Sequence, residues 1–299
     1  MRYLISLSAL AVMACSPTQQ ATDPVEESTT NALAETFNCI RNNDYSVLAA
    51  HRAGPAPGYA ENALSTIAYS AERGALFAEI DVAKTSDGVF FLIHDDTLDR
   101  TTNGTGEWQD QTWDQINTFQ LVDQNGVELD ETLPTLEDAL RVSRETGILL
   151  NIDLKGITPS EIVEEVERHD AISRVSFIAY TVDQAAEYYA ANEDVFLSVP
   201  DRLEEISAIG IPNENYYVWL GVNRINADRD AELERQEIEA SAGLFRFNHS
   251  EDAYRNAKSA GLEILSIDDV TLASTALGGA AVLQSEADTC AAWRHDATR

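Results

Sequence analysis

Two histidines stand beside charged neighbours at the ends of apolar runs: His51-Arg52, followed by a Gly/Pro-rich turn and Glu61-Asn62, and His94-Asp95. Histidine is the side chain most readily poised to exchange protons near neutral pH. An arginine beside it offers a fixed fork of donors that suits a phosphate. Between the two histidines lie Glu79 and Asp81, whose i, i+2 spacing puts both carboxylates on one face of a strand. Such a pair needs a positive partner. A hard divalent cation with oxygen ligands supplies it, with Asp153, at the end of the run Ile148 to Asp153, as a third ligand. A salt-bridged interior is the other use for the pair. Lys155, two residues on and on the same face as Asp153, adds a positive group for a substrate anion.

The elements that would hold these residues alternate between short apolar runs and helical stretches, which predicts a parallel sheet with crossover helices. At 299 residues, 44% of them hydrophobic, the expected fold is α/β, a closed (β/α)8 TIM-type barrel with His51 and Asp153 on its functional face. The expected strands are 47–51, 76–82, 148–154, 175–180, 195–199, 217–222, 244–247 and 263–267, with a surplus short run at 281–284. Helices are expected over 135–145, 159–169, 182–191, 229–240 and 250–260. The runs 78–83 and 89–94 lie too close for a crossover helix and must form a hairpin turning near Asp87-Gly88. A turn centred between Ser86 and Asp87 sets Glu79 opposite His94 and gathers Glu79, Asp81 and His94. Residues 101–134 read as an inserted loop or small subdomain over the same mouth.

The segments HRAGPAPGYAEN (51–62), AEIDVAKTSDGVFFLIHDDTLDRTTNGTG (78–106), LPTLEDAL (133–140) and NIDLKG (151–156) together resemble the glycerophosphodiester phosphodiesterase family of the phospholipase-C-like barrel superfamily. The resemblance is specific over about 47–156 and continues beyond only as an order of strands and helices. It implies His51 and His94 as general acid and base, and Arg52 and Lys155 as phosphate ligands. It also implies Glu79, Asp81 and Asp153 around one Ca²⁺ or Mg²⁺, with Glu61 in or just outside that shell. The implied reaction splits deacylated phospholipids such as glycerophosphocholine into glycerol 3-phosphate and an alcohol, by way of a cyclic phosphate. Alternatives are a phospholipase-D-like or phosphoinositide-type lyase that stops at the cyclic phosphate, and a non-catalytic surface-binding lipoprotein. The chain departs from the family pattern at Ala53 (usually glycine), Ala60 (proline) and Asp153 (glutamate). The late Thr-Asp-x-Pro signature is reduced to Ser266-Ile267-Asp268-Asp269 or Gln284-Ser285-Glu286, which argues against a functional carboxylate at the barrel's end.

With 51 acidic against 20 basic residues, the formal charge of −31 repels phosphate polymers and excludes nucleic acid as a partner. Residues 1–14 read as a signal peptide ending in the lipobox-like Val12-Met13-Ala14-Cys15, with Cys15 acylated; an ordinary cleavable signal is the other reading. Residues 15–45 then form the lipid anchor and flexible linker, polar from Ser16 to about Asn31, and 46–299 the barrel. That places the body outside the cytoplasm, anchored to a bacterial membrane on its periplasmic face or at the cell surface. There Cys39 and Cys290 would form a disulfide or remain two thiols. His169, His249 and His295 lack partner motifs and read as structural or exposed. Trp108, Trp113, Phe119 and Trp219 read as packing or as the substrate mouth.

Overall fold

In a strand successive side chains point to opposite faces, and the apolar runs of this chain use that alternation to serve two cores. Leu48, Ala50, Ala78, Ile80, Leu150 and Ile152 are buried outward in one layer with helix residues such as Ile67 and Leu140. The inward set is bulky at strand starts (Val47, Phe77, Leu149, Phe196, Ile264) and largely polar or small further along. A sheet built this way must cover one face with helices and close the other upon itself.

The computed structural model describes residues 32–245 and 250–292. Its strands are β1 (Val47–Ala50), β2 (Phe77–Lys84), β3 (Phe90–Leu92), β4 (Gln120–Val122), β5 (Glu128–Thr132), β6 (Leu149–Leu154), β7 (Val175–Ile178), β8 (Phe196–Pro200), β9 (Tyr216–Val222), β10 (Ala240–Leu244) and β11 (Ile264–Ile267). The parallel strands run β1-β11-β10-β9-β8-β7-β6-β2, and a β1–β2 pairing closes them into an eight-stranded barrel. β3 pairs antiparallel on β2, and β4 and β5 form a separate hairpin. Among the described residues no helix is long and apolar enough to cross a membrane.

Several expectations are corrected. The seventh barrel strand is Ala240–Leu244, not 244–247, and the helix before it is Ala227–Glu234, ending short of Ala240. The run 281–284 lies in the helix Ala280–Thr289, which dissolves the surplus strand. The β2–β3 hairpin pairs Val82 with Leu92 and Lys84 with Phe90, one residue off the expected register, so Glu79 does not face His94 across the ladder. The body begins before residue 46: the helix Ala32–Asn42 packs Leu33, Phe37 and Ile40 into the N-terminal end of the barrel. There the Phe37 ring stacks on Phe196 at 4.8 Å and lies 5.7 Å from Phe77 and from Tyr217. A disulfide from Cys39 to Cys290, with Cα atoms 5.4 Å apart, ties this helix to the end of the last one. Cys15, the polar tract, His249 and His295 lie outside the described residues.

Candidate active site

The turn after β1 is built from left-handed backbone: Arg52, Ala53 and Gly54 have φ of 51°, 67° and 83°. A side chain at 54 would meet Val270 at 2.5 Å and Ser70 at 2.7 Å, so glycine is required there. Ala53 bears the strain that the family's usual glycine would avoid, on the order of 1 kcal/mol. The turn aims the Arg52 amide at Glu79, whose Oε2 accepts its hydrogen at 2.6 Å. Asn62, also left-handed at φ 57°, donates to Asp81 Oδ2 at 2.8 Å and accepts from the Asp81 amide at 3.0 Å. Two loops are thus pinned onto the inward carboxylates of β2.

Parallel register sets Asp81 beside Asp153 and Glu79 beside Asn151. Each of Glu79, Asp81 and Asp153 offers an oxygen, all within 4.8 Å of one another. Lys155 Nζ lies 3.0 Å from Asp81 and 2.8 Å from Asp153, and Tyr180 donates its hydroxyl to Asp153 at 2.9 Å. Three carboxylates against one ammonium leave an excess of negative charge. Burial, with Asp81 and Asp153 adding to it, pushes Glu79 well above the usual carboxylate range. Burial opposes the charge on Lys155, but Asp81 and Asp153 outweigh it and raise its pKa. Asp153 Oδ1 is buried without a hydrogen-bond partner. An orphaned oxygen in a cluster of hard donors short of positive charge fits a divalent cation such as Ca²⁺ or Mg²⁺.

Each histidine has its own carboxylate. His51 Nδ1 lies 2.8 Å from Asp268 Oδ1, and its ring stacks on Phe245 at 4.5 Å. His94 Nδ1 lies 2.7 Å from Asp95 Oδ1, and Arg52 Nη2 donates to its Nε2 at 2.8 Å. A carboxylate on Nδ1 fixes the tautomer and turns Nε2 toward the cavity, as acid–base work requires. Hydrogen bonds from Arg100 hold the Asp95 carboxyl well below its ordinary range, against the opposing effect of partial burial.

All eight residues expected at the site, His51, Arg52, Glu61, Glu79, Asp81, His94, Asp153 and Lys155, line one cavity of about 970 Å³ at the C-terminal ends of the strands. Glu61 stands apart from the acidic trio, paired with Arg52 at 3.3 Å and Arg100 at 2.6 Å. Asp268, just past the end of β11, stands where the reduced late signature had argued against a functional carboxylate, and the structure pairs it with His51. Its signal in the sequence was position: it directly follows the last strand, as Asp153 lies near the end of β6. Residues 101–134 cover the mouth, with Val122, Asp123 and Gly126 of the β4–β5 hairpin lining it. Trp108, Trp113 and Phe119 pack in the apolar cluster beneath that cover, whereas Trp219 lines the cavity. His169 lies 3.3 Å from Glu165 on its own helix and does not line this cavity.

Comparison with known proteins places these residues in a family context. Residues 51–268 match the model of the glycerophosphoryl diester phosphodiesterase family. The chain is 38% identical over 112 residues to human glycerophosphodiester phosphodiesterase 1, a match covering 36% of this chain and 33% of that protein. It therefore spans about a third of the length of the first curated relatives it matches. A glycerophosphoryl diester phosphodiesterase structure from Parabacteroides distasonis superimposes with a TM-score of 0.75 at 24% identity, over 81% of this chain and 90% of that one. An Oleispira antarctica phosphodiesterase in complex with the product sn-glycerol-3-phosphate superimposes with a TM-score of 0.64 at 19% identity, over 79% and 98%.

Proposed function

Because the chain belongs to the glycerophosphoryl diester phosphodiesterase family, we propose that it hydrolyses glycerophosphodiesters to glycerol 3-phosphate and an alcohol, using His51 and His94 and one Ca²⁺ or Mg²⁺. The observation that carries this reading is two histidine–carboxylate pairs facing one cavity that also holds Arg52, Lys155 and the trio of carboxylates. The human relative bears the name of this activity, and the Oleispira structure holds its product.

In this reading Arg52 and Lys155 receive the substrate phosphate. The neighbouring glycerol hydroxyl loses its proton to Nε2 of one histidine and attacks phosphorus, while Nε2 of the other histidine protonates the departing alcohol. Water then opens the cyclic phosphate with the roles reversed. Asp268 and Asp95 hold the two rings in the tautomer this exchange requires. The metal held by Glu79, Asp81 and Asp153 would supply Lewis-acid stabilisation of charge on the phosphoryl oxygens. Asp153 in place of glutamate sets the third ligand one methylene further back, a point on which ion preference would turn.

The alcohol-side contacts come from the β4–β5 cover and the mouth residues Tyr180 and Trp219. We place the protein outside the cytoplasm, acylated at Cys15 and facing the periplasm or the exterior. The Cys39–Cys290 bridge supports this, because such bonds persist in oxidising compartments. Mass spectrometry of the native N-terminus tests it: an unacylated protein in the cytoplasm would contradict it. The catalytic assignment is tested by His51→Ala and His94→Ala on glycerophosphocholine, reading choline release. Each should lose at least about 100-fold in kcat; full activity in either removes that histidine from the reaction.

A further inference from the structure

Five side chains close a ring of hydrogen bonds around one edge of the cavity. His94 Nδ1 meets Asp95 at 2.7 Å. Asp95 is gripped by Arg100 through Nε at 2.6 Å and Nη2 at 2.9 Å. The same guanidinium grips Glu61 through Nη1 at 2.6 Å and Nη2 at 2.7 Å. Glu61 accepts from Arg52 Nη1 at 3.3 and 3.4 Å, and Arg52 Nη2 returns to His94 Nε2 at 2.8 Å. Arg100 stands outside the catalytic set, at the foot of the inserted segment.

We propose that Arg100 is the positioning residue of this centre, orienting His94 through Asp95 and Arg52 through Glu61. The proposal rests on the diesterase reading above. Arginine has no acceptor, so the Arg52 contact leaves the lone pair of His94 on Nε2 and the proton on Nδ1, donated to Asp95. That is the form able to take a proton from a substrate hydroxyl once the substrate phosphate draws the Arg52 donor away from Nε2. It persists only while Asp95 stays in the ring plane, and Arg100 fixes Asp95 through two parallel bonds. Through its other edge Arg100 holds Glu61, which in turn sets the height of the Arg52 fork beside the phosphate position. A planar fork with five N–H donors serves two carboxylates at once, whereas an ammonium, a point charge, cannot hold both planes.

The ring also explains why Glu61, a carboxylate in a site with a metal-binding trio, lies apart from it: its oxygens are already claimed by two guanidinium groups. A purely structural clamp would act on stability alone. A positioning residue acts on turnover and on the state of the histidine.

The test compares wild type, Arg100→Lys and Arg100→Ala, all checked for an unchanged thermal transition. With glycerophosphocholine, kcat should fall about 10–100-fold in both variants while KM moves only a few-fold, the usual scale for a group that orients a functional side chain. Free guanidinium should restore part of the loss in Arg100→Ala. A second readout needs no turnover: the downfield Nδ1–H proton resonance of His94, identified by its disappearance in His94→Asn, should be present in wild type and absent from Arg100→Ala. Full kcat in Arg100→Lys would overturn the two-carboxylate role. Retention of the resonance in Arg100→Ala would overturn the proposal even if wild type turned over no diester. Its loss in an inactive wild-type background would uphold Arg100 while the diesterase reading fell.

Discussion

His51 Nδ1 lies 2.8 Å from Asp268 Oδ1, although the two residues are 217 positions apart. They meet because β1 and β11 are adjacent parallel strands, with Ala50 beside Ile267, so the residues that follow each strand emerge side by side at the mouth. The carboxylate accepts the Nδ1 proton, which in the proposed reaction leaves Nε2 to serve the substrate.

Asp268→Asn keeps the size of the side chain but can offer an N–H to Nδ1, which favours the wrong tautomer. We expect kcat to fall on the order of 100- to 10,000-fold, the upper end being the effect of the same change in a serine-protease triad and the lower end favoured at a partly exposed pair. Steady-state kinetics at saturating substrate check this. A change under about three-fold would mean that Asp268 does not orient His51.

How much of this was legible in the chain can be judged residue by residue. Glu79 and Asp81 could be read because strand alternation is strict, so their spacing alone set their common face, whereas His51-Arg52 could be read from residue type and from its place just after an apolar strand. Asp268 was discounted because its flanking Ser-Ile and Asp replace the family's pattern, although its place after the last strand was in plain view. β10 was misplaced because Ala240–Leu244 is small-residue sequence without β-branched side chains. Gly243 leaves room there for the Phe245 and Trp219 rings, which a Cβ would meet at 2.6 and 2.9 Å. The run at 281–284 is apolar over four residues, a length at which strand and helix look alike. The hairpin register slipped by one because Thr85 and Val89 close the turn around three residues, with Gly88 at φ 93°. The role proposed for Arg100 involves partners at 61 and 95, a triangle that no spacing rule reveals.

The helix Ala32–Asn42 is part of the barrel's core, so a fragment starting at residue 46 should be far less stable than one starting at 32. Within the longer form, Phe37→Ala opens a hole among the three rings of Phe77, Phe196 and Tyr217 and should cost about 3–5 kcal/mol. Reducing the Cys39–Cys290 bridge should cost a further 2–4 kcal/mol or so. Both should lower Tm in thermal melts while leaving kcat at 25 °C unchanged, since they act at the end of the barrel opposite the cavity. A melt indifferent to Phe37→Ala would mean that the helix is not docked there in solution.

At that same end, Glu263 and Glu239 are buried before β11 and β10. Burial pushes Glu263 to about 8, with Asp230 adding to it, and Glu239 to about 7 despite its Arg41 partner. A carboxyl raised above its unfolded value contributes stability that is complete below about pH 4.5 and is lost as pH rises through the folded value. The fold should therefore weaken between about pH 5 and 9. Glu263→Gln retains an acceptor for the Ala240 amide, which Glu263 now binds at 2.8 Å. The variant should be more stable than wild type by on the order of 2–4 kcal/mol at pH 9 and nearly equal to it at pH 5. Denaturant unfolding at the two pH values in high salt decides; an equal gap at both would refute the buried charge.

The most direct measurement is hydrolysis of glycerophosphocholine by the chain from residue 32 onward, followed by phosphorus NMR, first in EDTA and then with Ca²⁺ or Mg²⁺ restored. The account predicts no turnover in EDTA, then metal-dependent appearance of glycerol 3-phosphate, with Asp81→Asn inactive throughout. Turnover at the same rate in EDTA would contradict the role given to Glu79, Asp81 and Asp153, and a cyclic phosphate that accumulates without opening would contradict hydrolysis as the reaction.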